Sequence, residues 1–324
     1  VRNLAHNADS NNMYVYLDMQ NAGWVDHTGQ LLLDFGQALY HVASKSLPDM
    51  GPLPGPADYL DLGTARRSFN SLLLRIHERM TETQRLVLAI DEYELIEQGI
   101  KDRRIDPGLL PYLRSINQDY PWLGLIFAGL HTLDEMGHNY WTPFYGQAEY
   151  IRVGYLTPKD AFKLITQPHP DFALEYEDAL VDEIYRLTFG QPYLVQRLCW
   201  ELVNRWNDTF LEQGESTPRL LKRGDLDAVL TEDFFRSTGY YFDGVWSNAT
   251  ENEKHLMRIL SQCENKSMSR EEFMEQATKT GFPAEPGIMD ETIELLKQHD
   301  IIGGDERGYG FASELMRKWA GQQR

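Results

Sequence analysis

The stretch LVLAIDEYELIEQ, residues 86–98, decides the reading of this chain. Five mostly apolar residues run straight into two adjacent acids, Asp91 and Glu92. A short, nearly continuous apolar run is the signature of a strand covered on both faces of a parallel sheet. In open α/β sheets, ligands sit beyond the carboxyl ends of the strands. An acid at that position can hold Mg²⁺, which takes hard oxygen ligands and keeps part of its water shell. A second acid beside it is placed to polarise a water attacking a terminal phosphate. Acidic pairs also end strands as helix caps or solvated turns, so the pair needs support from the rest of the chain.

The flanking sequence alternates strand and helix signals. MYVYLDMQ (13–20) is β-branched and aromatic and predicts a strand. LLLDFGQALYHVASKSL (31–47) has helical apolar spacing at Leu32, Phe35, Leu39 and Val42. Residues 49–63 are punctuated by Pro and Gly and read as a loop; 66–80 read as a helix, and so do 107–120. LGLIFAGL (123–130) predicts a second buried strand, and EYIRVGYL (149–156) a last one. The order implies a doubly wound α/β sheet. The second buried strand ends in AGLHT, which brings His131 and Thr132 next to the acids if the strands are neighbours. A polar group there could sense a terminal phosphate. The ordinary alternatives are a helix cap for Thr132 and a solvated loop for His131.

After Leu156 the pattern turns helical. Thr157 and Pro158 are an N-cap and first-turn pair, residues 178–190 form a helix stopped by Gly190, and 192–207 one opened by Pro192. Residues 210–225 read as a polar connector and 225–238 as a helix. The composition changes near GYYFDGVWSN (239–248). The remainder predicts three helices and a Gly-rich hairpin, II-GGDERGYG-FAS, which is the winged-helix arrangement. The expected division is therefore an α/β core at 1–156, a helical lid at 157–238 and a winged helix at 239–324.

Bulk properties narrow the function. The 324 residues are 42% hydrophobic and 25% charged, an ordinary globular balance. The formal net charge of −18 argues against broad binding to nucleic acid or anionic lipid. The two cysteines, Cys199 and Cys263, form no zinc pattern and fit a reducing cytoplasm. The longest apolar run is far short of the roughly 20 residues that cross a bilayer, so no membrane association is expected.

These segments, in this order, resemble the ATPase module of the AAA+/STAND group of P-loop NTPases, a group that also resembles origin-recognition ATPases. LVLAIDE is similar to the Walker B pattern, which implies Mg²⁺ coordination by Asp91 and a catalytic base at Glu92. LGLIFAGLHT resembles the strand carrying sensor 1, with His131 and Thr132 at the nucleotide. YLTPKDAFKLITQP resembles the start of the lid. LTFGQPYLVQRLCWEL resembles the Gly-x-Pro segment, which places Gln191 and Pro192 near the adenine. The resemblance implies ATP or ADP and Mg²⁺ as ligands, nucleotide-dependent movement of the lid, and sensor or effector domains or further copies of the chain as partners. It covers nearly the whole chain.

One motif is missing. Such enzymes hold phosphates with G-x-x-x-x-G-K-[ST], and no such run occurs in the sequence. In the resembled group that loop precedes the strand matching MYVYLDMQ, and the helix after it reads like SLVRNLA. This sequence starts at VRNLAHNA, so the loop is expected immediately upstream of Val1. As written, the chain is expected to bind nucleotide weakly or not at all and not to hydrolyse it. Arg103, Arg104 and Arg152 are arginine-finger candidates by charge alone. Two other readings stand beside the switch: a DNA-associated origin-recognition-like ATPase, and a non-catalytic interaction scaffold. The helix near IMDETIELLKQHD (288–300) carries Asp290, Glu291, Glu294 and Asp300 against Lys297, which argues against DNA.

Overall fold

The computed structural model describes residues 11–20, 27–53, 55–129, 138–144, 146–214, 218–263, 267–283, 285, 287–305 and 308–323. The chain divides into two compact units, Val1–Ile151 and Arg152–Arg324.

The N-terminal unit runs β1 (Met13–Asp18), α1 (Thr28–Ala43), α2 (Leu62–His77), β2 (Leu86–Asp91), α3 (Glu94–Lys101), α4 (Leu109–Asp119), β3 (Leu123–Ala128) and the single turn α5 (His138–Trp141). The strands form a parallel sheet in the order β1-β2-β3. Leu86, Leu88, Ala89 and Ile90 of the central strand are all buried, as their continuous apolar run requires. The α1 stripe Leu32, Phe35 and Leu39 is fully buried in the same core as Phe69, Leu72 and Ile76 of α2. Asp61 caps α2 by accepting from the backbone N–H groups of Gly63 at 2.9 Å and Thr64 at 3.0 Å. Arg75 and His77 lie in its last turn, where positive charge suits the helix dipole.

The C-terminal unit is helical: α6 (Pro158–Thr166), α7 (Asp178–Thr188), α8 (Pro192–Gln213), α9 (Arg223–Val229), α10 (Glu232–Asn248), α11 (Glu251–Ser261), α12 (Arg270–Lys279), α13 (Ile288–Gln298) and α14 (Glu314–Ala320). A two-residue parallel pair, β4 (Glu175–Tyr176) with β5 (Leu220–Leu221), joins its start. An antiparallel hairpin, β6 (Ile302–Asp305) with β7 (Gly308–Phe311), follows α13. One apolar core runs from Ile165 to Ala320. Thr157 caps α6 with Pro158 in its first turn, as the sequence predicts. The Cys199 thiol sits against Tyr176, and burial pushes it up to about 12.

Two expectations need correction. EYIRVGYL forms no strand: residues 149–154 have no regular structure, with Ile151 83% and Val153 92% exposed. Its β-branched side chains favour extended backbone, but a strand exists only with a partner to complete its ladder. The expected connector 210–225 begins inside α8 and ends inside α9. The aromatic segment 239–248 is the second half of α10. Phe242 stacks on Trp319 at 5.6 Å and Trp246 meets it edge-on at 5.7 Å, which uses the aromatics as core.

Glu253 holds the start of α11. Its Oε2 accepts from the Thr250 N–H and hydroxyl, each at 2.8 Å, and its Oε1 faces His299 Nδ1 at 3.3 Å. Burial works to raise this carboxyl, but the bonds from His299 and Thr250 outweigh it and hold it below its ordinary value. Its contribution is therefore present above the ordinary carboxylate range and is lost as pH falls through the lowered value. Glu253→Ala is expected to cost about 1–3 kcal/mol at neutral pH. Denaturant curves check this, and the gap to wild type should close in acid.

Candidate functional site

The register of the sheet builds the site. Asp18 pairs with Asp91 across β1 and β2, and Asp91 with Ala128 across β2 and β3. All three strands are parallel, so their carboxyl ends lie along one edge, and two of the three end in a carboxylate. The ladder continues one step past the acids: Met19 N–H donates to the Asp91 carbonyl and Tyr93 N–H to that of Ala128, each at 3.2 Å. Asp91 is fixed by the Tyr16 hydroxyl, which donates to its Oδ2 at 2.7 Å.

Glu92 sits where the chain turns off the strand into α3, with φ of +56°. A left-handed backbone is unfavourable for a residue with a Cβ, and such strain collects at functional sites. Its carboxyl is raised above the usual value, first by burial and then by Glu94, Asp91 and Asp18; the side chain of Gln20 opposes this. Among the described residues, the charges acting on it are negative. Because the native form binds the proton more tightly than the unfolded chain, Glu92 lowers stability as pH rises from the ordinary carboxylate range through the raised value. Glu92→Gln is expected to raise the melting temperature at pH 7 and to leave it unchanged below about pH 4. A drop at pH 7 would contradict this electrostatic picture.

The acids are held by a buried aromatic cluster. Tyr93 meets Trp141 at 4.8 Å and Phe127 at 6.0 Å, both edge-on. Trp141 is fully buried and its indole N–H donates to Glu97 Oε2 at 3.0 Å. Glu97, itself buried, also pairs with Lys101 on the outer end of α3. A Cβ at Gly129, where β3 exits, would press on the Glu94 carboxylate and the Tyr93 ring, so one of them would have to shift.

The other sequence-predicted residues fall elsewhere. His131 and Thr132 lie outside the described residues. Gln191 is the N-cap of α8, where its Oε1 accepts from Leu194 N–H at 2.7 Å, and Pro192 opens the helix. Gly190 precedes them at φ +75°, and its carbonyl accepts from Leu156 N–H at 2.9 Å. Arg104 pairs with Asp102, and Arg152 with Asp300. Asp18 was not singled out from the sequence. The signal was present in the matched endings MYVYLD and LVLAID, two strands closing on the same residue type.

The donor set is chemically suited to a hard cation. Among the described residues no three His, Cys, Asp or Glu side chains converge on one point. Mg²⁺ is usually held by one or two carboxylates and otherwise by phosphate and water.

No protein-family model matches this chain, and no curated protein does. Among solved structures, the Walker-type ATPase PABY2304 of Pyrococcus abyssi matches with a TM-score of 0.61 at 14% identity, covering 95% of this chain and 84% of its own. Cdc6p from Pyrobaculum aerophilum matches at 0.40 and 13% identity, covering 94% and 77%. The Aeropyrum pernix ORC1 protein in complex with DNA matches at 0.40 and 12%, covering 98% and 79%. The last two scores are too low to add to the argument. The likeness to the Pyrococcus abyssi Walker-type ATPase shows a shared fold.

Proposed function

We propose that this chain is the nucleotide-handling portion of an AAA+/STAND-type switch, with a lid at 157–238 and a winged helix at 239–324. The observation that supports the reading is the alignment of Asp18 and Asp91 at the carboxyl edge of a parallel sheet, with Glu92 adjoining, in an AAA+-like fold. Magnesium, when bound, would neutralise phosphate charge there. Asp91 would hold it, its carboxylate oriented by the Tyr16 hydroxyl. Glu92, its proton affinity raised, is suited to take a proton from an attacking water. His131 and Thr132 are assigned to the terminal phosphate, and Gln191 and Pro192 to the base.

The phosphates themselves need cationic and N–H donors that the acidic edge does not supply, and the sequence contains no G-x-x-x-x-G-K-[ST]. The 324-residue chain is therefore expected to show no ATP turnover and no micromolar affinity in a calorimetric titration with Mg·ATP. In a longer chain that carries the loop, Glu92→Gln should lower kcat by about 10²–10⁴-fold, the range for losing a general base. Unchanged turnover in that variant would remove Glu92 from the chemistry.

The DNA-binding alternative needs a basic face. On α13, Lys297 pairs with Glu294 at 2.9 Å, and Asp290 engages Arg270 of α12 at 2.7 Å, so these cations are already matched by acids. Duplex DNA is expected to give no mobility shift that persists at about 0.15 M salt.

A further inference from the structure

The C-terminal unit is fastened at its first residue. The Arg152 guanidinium donates through Nη2 to the carbonyl of Gln298 at 2.7 Å, to that of Lys297 at 3.1 Å and to Asp300 Oδ1 at 2.7 Å. These carbonyls belong to the last turn of α13, where the dipole favours a cation; that of Lys297 also accepts from the Asp300 N–H at 3.1 Å. Asp300 reaches the guanidinium from a left-handed backbone, φ +55°. Non-glycine residues hold that conformation only when their surroundings enforce it.

Among the described residues, Arg152 makes the strongest attachments of this stretch. Ile151 and Val153, on either side, are 83% and 92% exposed, so no apolar packing fixes the backbone. Gly154 passes 3.7 Å from Asp300 Oδ2. The next firm attachments are the half-buried Tyr155, paired with Tyr241, and the Leu156 N–H on the Gly190 carbonyl. Residues 152–154 are thus held by one side chain.

We propose that Arg152 is a releasable latch that holds the first residues of the C-terminal unit on the end of α13. Closed, it pins the connection at residue 152 on the end of α13. Open, it frees Arg152, Val153 and Gly154, about 10 Å of chain at 3.3–3.6 Å per residue. Its charges are partly exposed, 58% for Arg152 and 31% for Asp300. Salt therefore weakens it, as it weakens any exposed ion pair. The latch depends on no part of the nucleotide reading.

Trypsin reads the latch directly, because an arginine engaged in this way cannot enter the protease pocket. Cleavage after residue 152 would be followed by intact-fragment mass spectrometry in wild type, Asp300→Asn and Arg152→Lys. The lysine variant keeps a trypsin site but lacks the planar fork. The expected result is cleavage at 152 at least about tenfold faster in both variants, the free-energy equivalent of about 1.4 kcal/mol. Cleavage after Lys45, exposed in the N-terminal unit, should not change. Raising salt should speed the wild type toward the variants. Equal rates at 152 in all three proteins would overturn the latch. So would a parallel rise at Lys45, because it would mean general loosening.

Discussion

Replacing Trp141 with alanine is expected to destabilise the N-terminal unit by about 3–5 kcal/mol, the range for removing a fully buried large aromatic. The cost has two parts. Tyr93, Phe127 and Phe144 all lose their contact with the indole, at centroid distances of 4.8, 5.4 and 6.0 Å. Glu97, buried at 3% exposure, loses the indole N–H and keeps only Lys101 beside it. Trp141→Phe separates the parts: it retains much of the packing but not the donor, and should cost less. Urea denaturation monitored by circular dichroism measures both. Because Tyr93 adjoins Glu92, the alanine variant should also loosen the strand end, read as faster amide exchange at residues 91–93. A loss under 1 kcal/mol would mean that the cluster does not support α3.

The second large effect is expected at Gly190. A Cβ built there overlaps the carbonyl oxygen of Leu156, a backbone atom that cannot step aside as a side-chain tip can. The residue is also at φ +75°, which costs a residue with a Cβ about 1–2 kcal/mol before any clash. Gly190→Ala is therefore expected to lower the stability of the C-terminal unit by about 2–4 kcal/mol. The bond from Leu156 N–H to the Gly190 carbonyl should be lost with it. Stability within 0.5 kcal/mol of wild type, roughly the noise of a surface change, would show that the turn rearranges freely.

Much of the scaffold was legible because local chemistry and tertiary context agree. The run LVLAI is buried as a central strand, Thr157-Pro158 starts α6, and Pro192 opens α8. The segment 149–156 failed because β-propensity describes only what a strand would tolerate; pairing depends on a neighbour that no local window contains. The acids at 91 and 92 stood out because a carboxylate is costly beside a buried strand. Asp18, a single acid at the end of a more exposed strand, gave a weaker signal until the register placed it beside Asp91. Glu97 was not singled out from the sequence, because its burial against Trp141 joins residues 44 apart. Gly190 was recognisable as a helix stop, but its close approach to Leu156 depends on the path of a distant segment.

The account rests on acids at the sheet edge receiving a metal-bound phosphate, and weak binding does not prevent a direct test. Mn²⁺ with ADP, added at millimolar concentration to the isotope-labelled chain, broadens the amide resonances nearest the bound metal. The account predicts broadening centred on Asp18, Asp91 and Glu92 that requires both Mn²⁺ and nucleotide and is lost in Asp91→Asn. Broadening centred on another surface, or unaltered by that substitution, would contradict it.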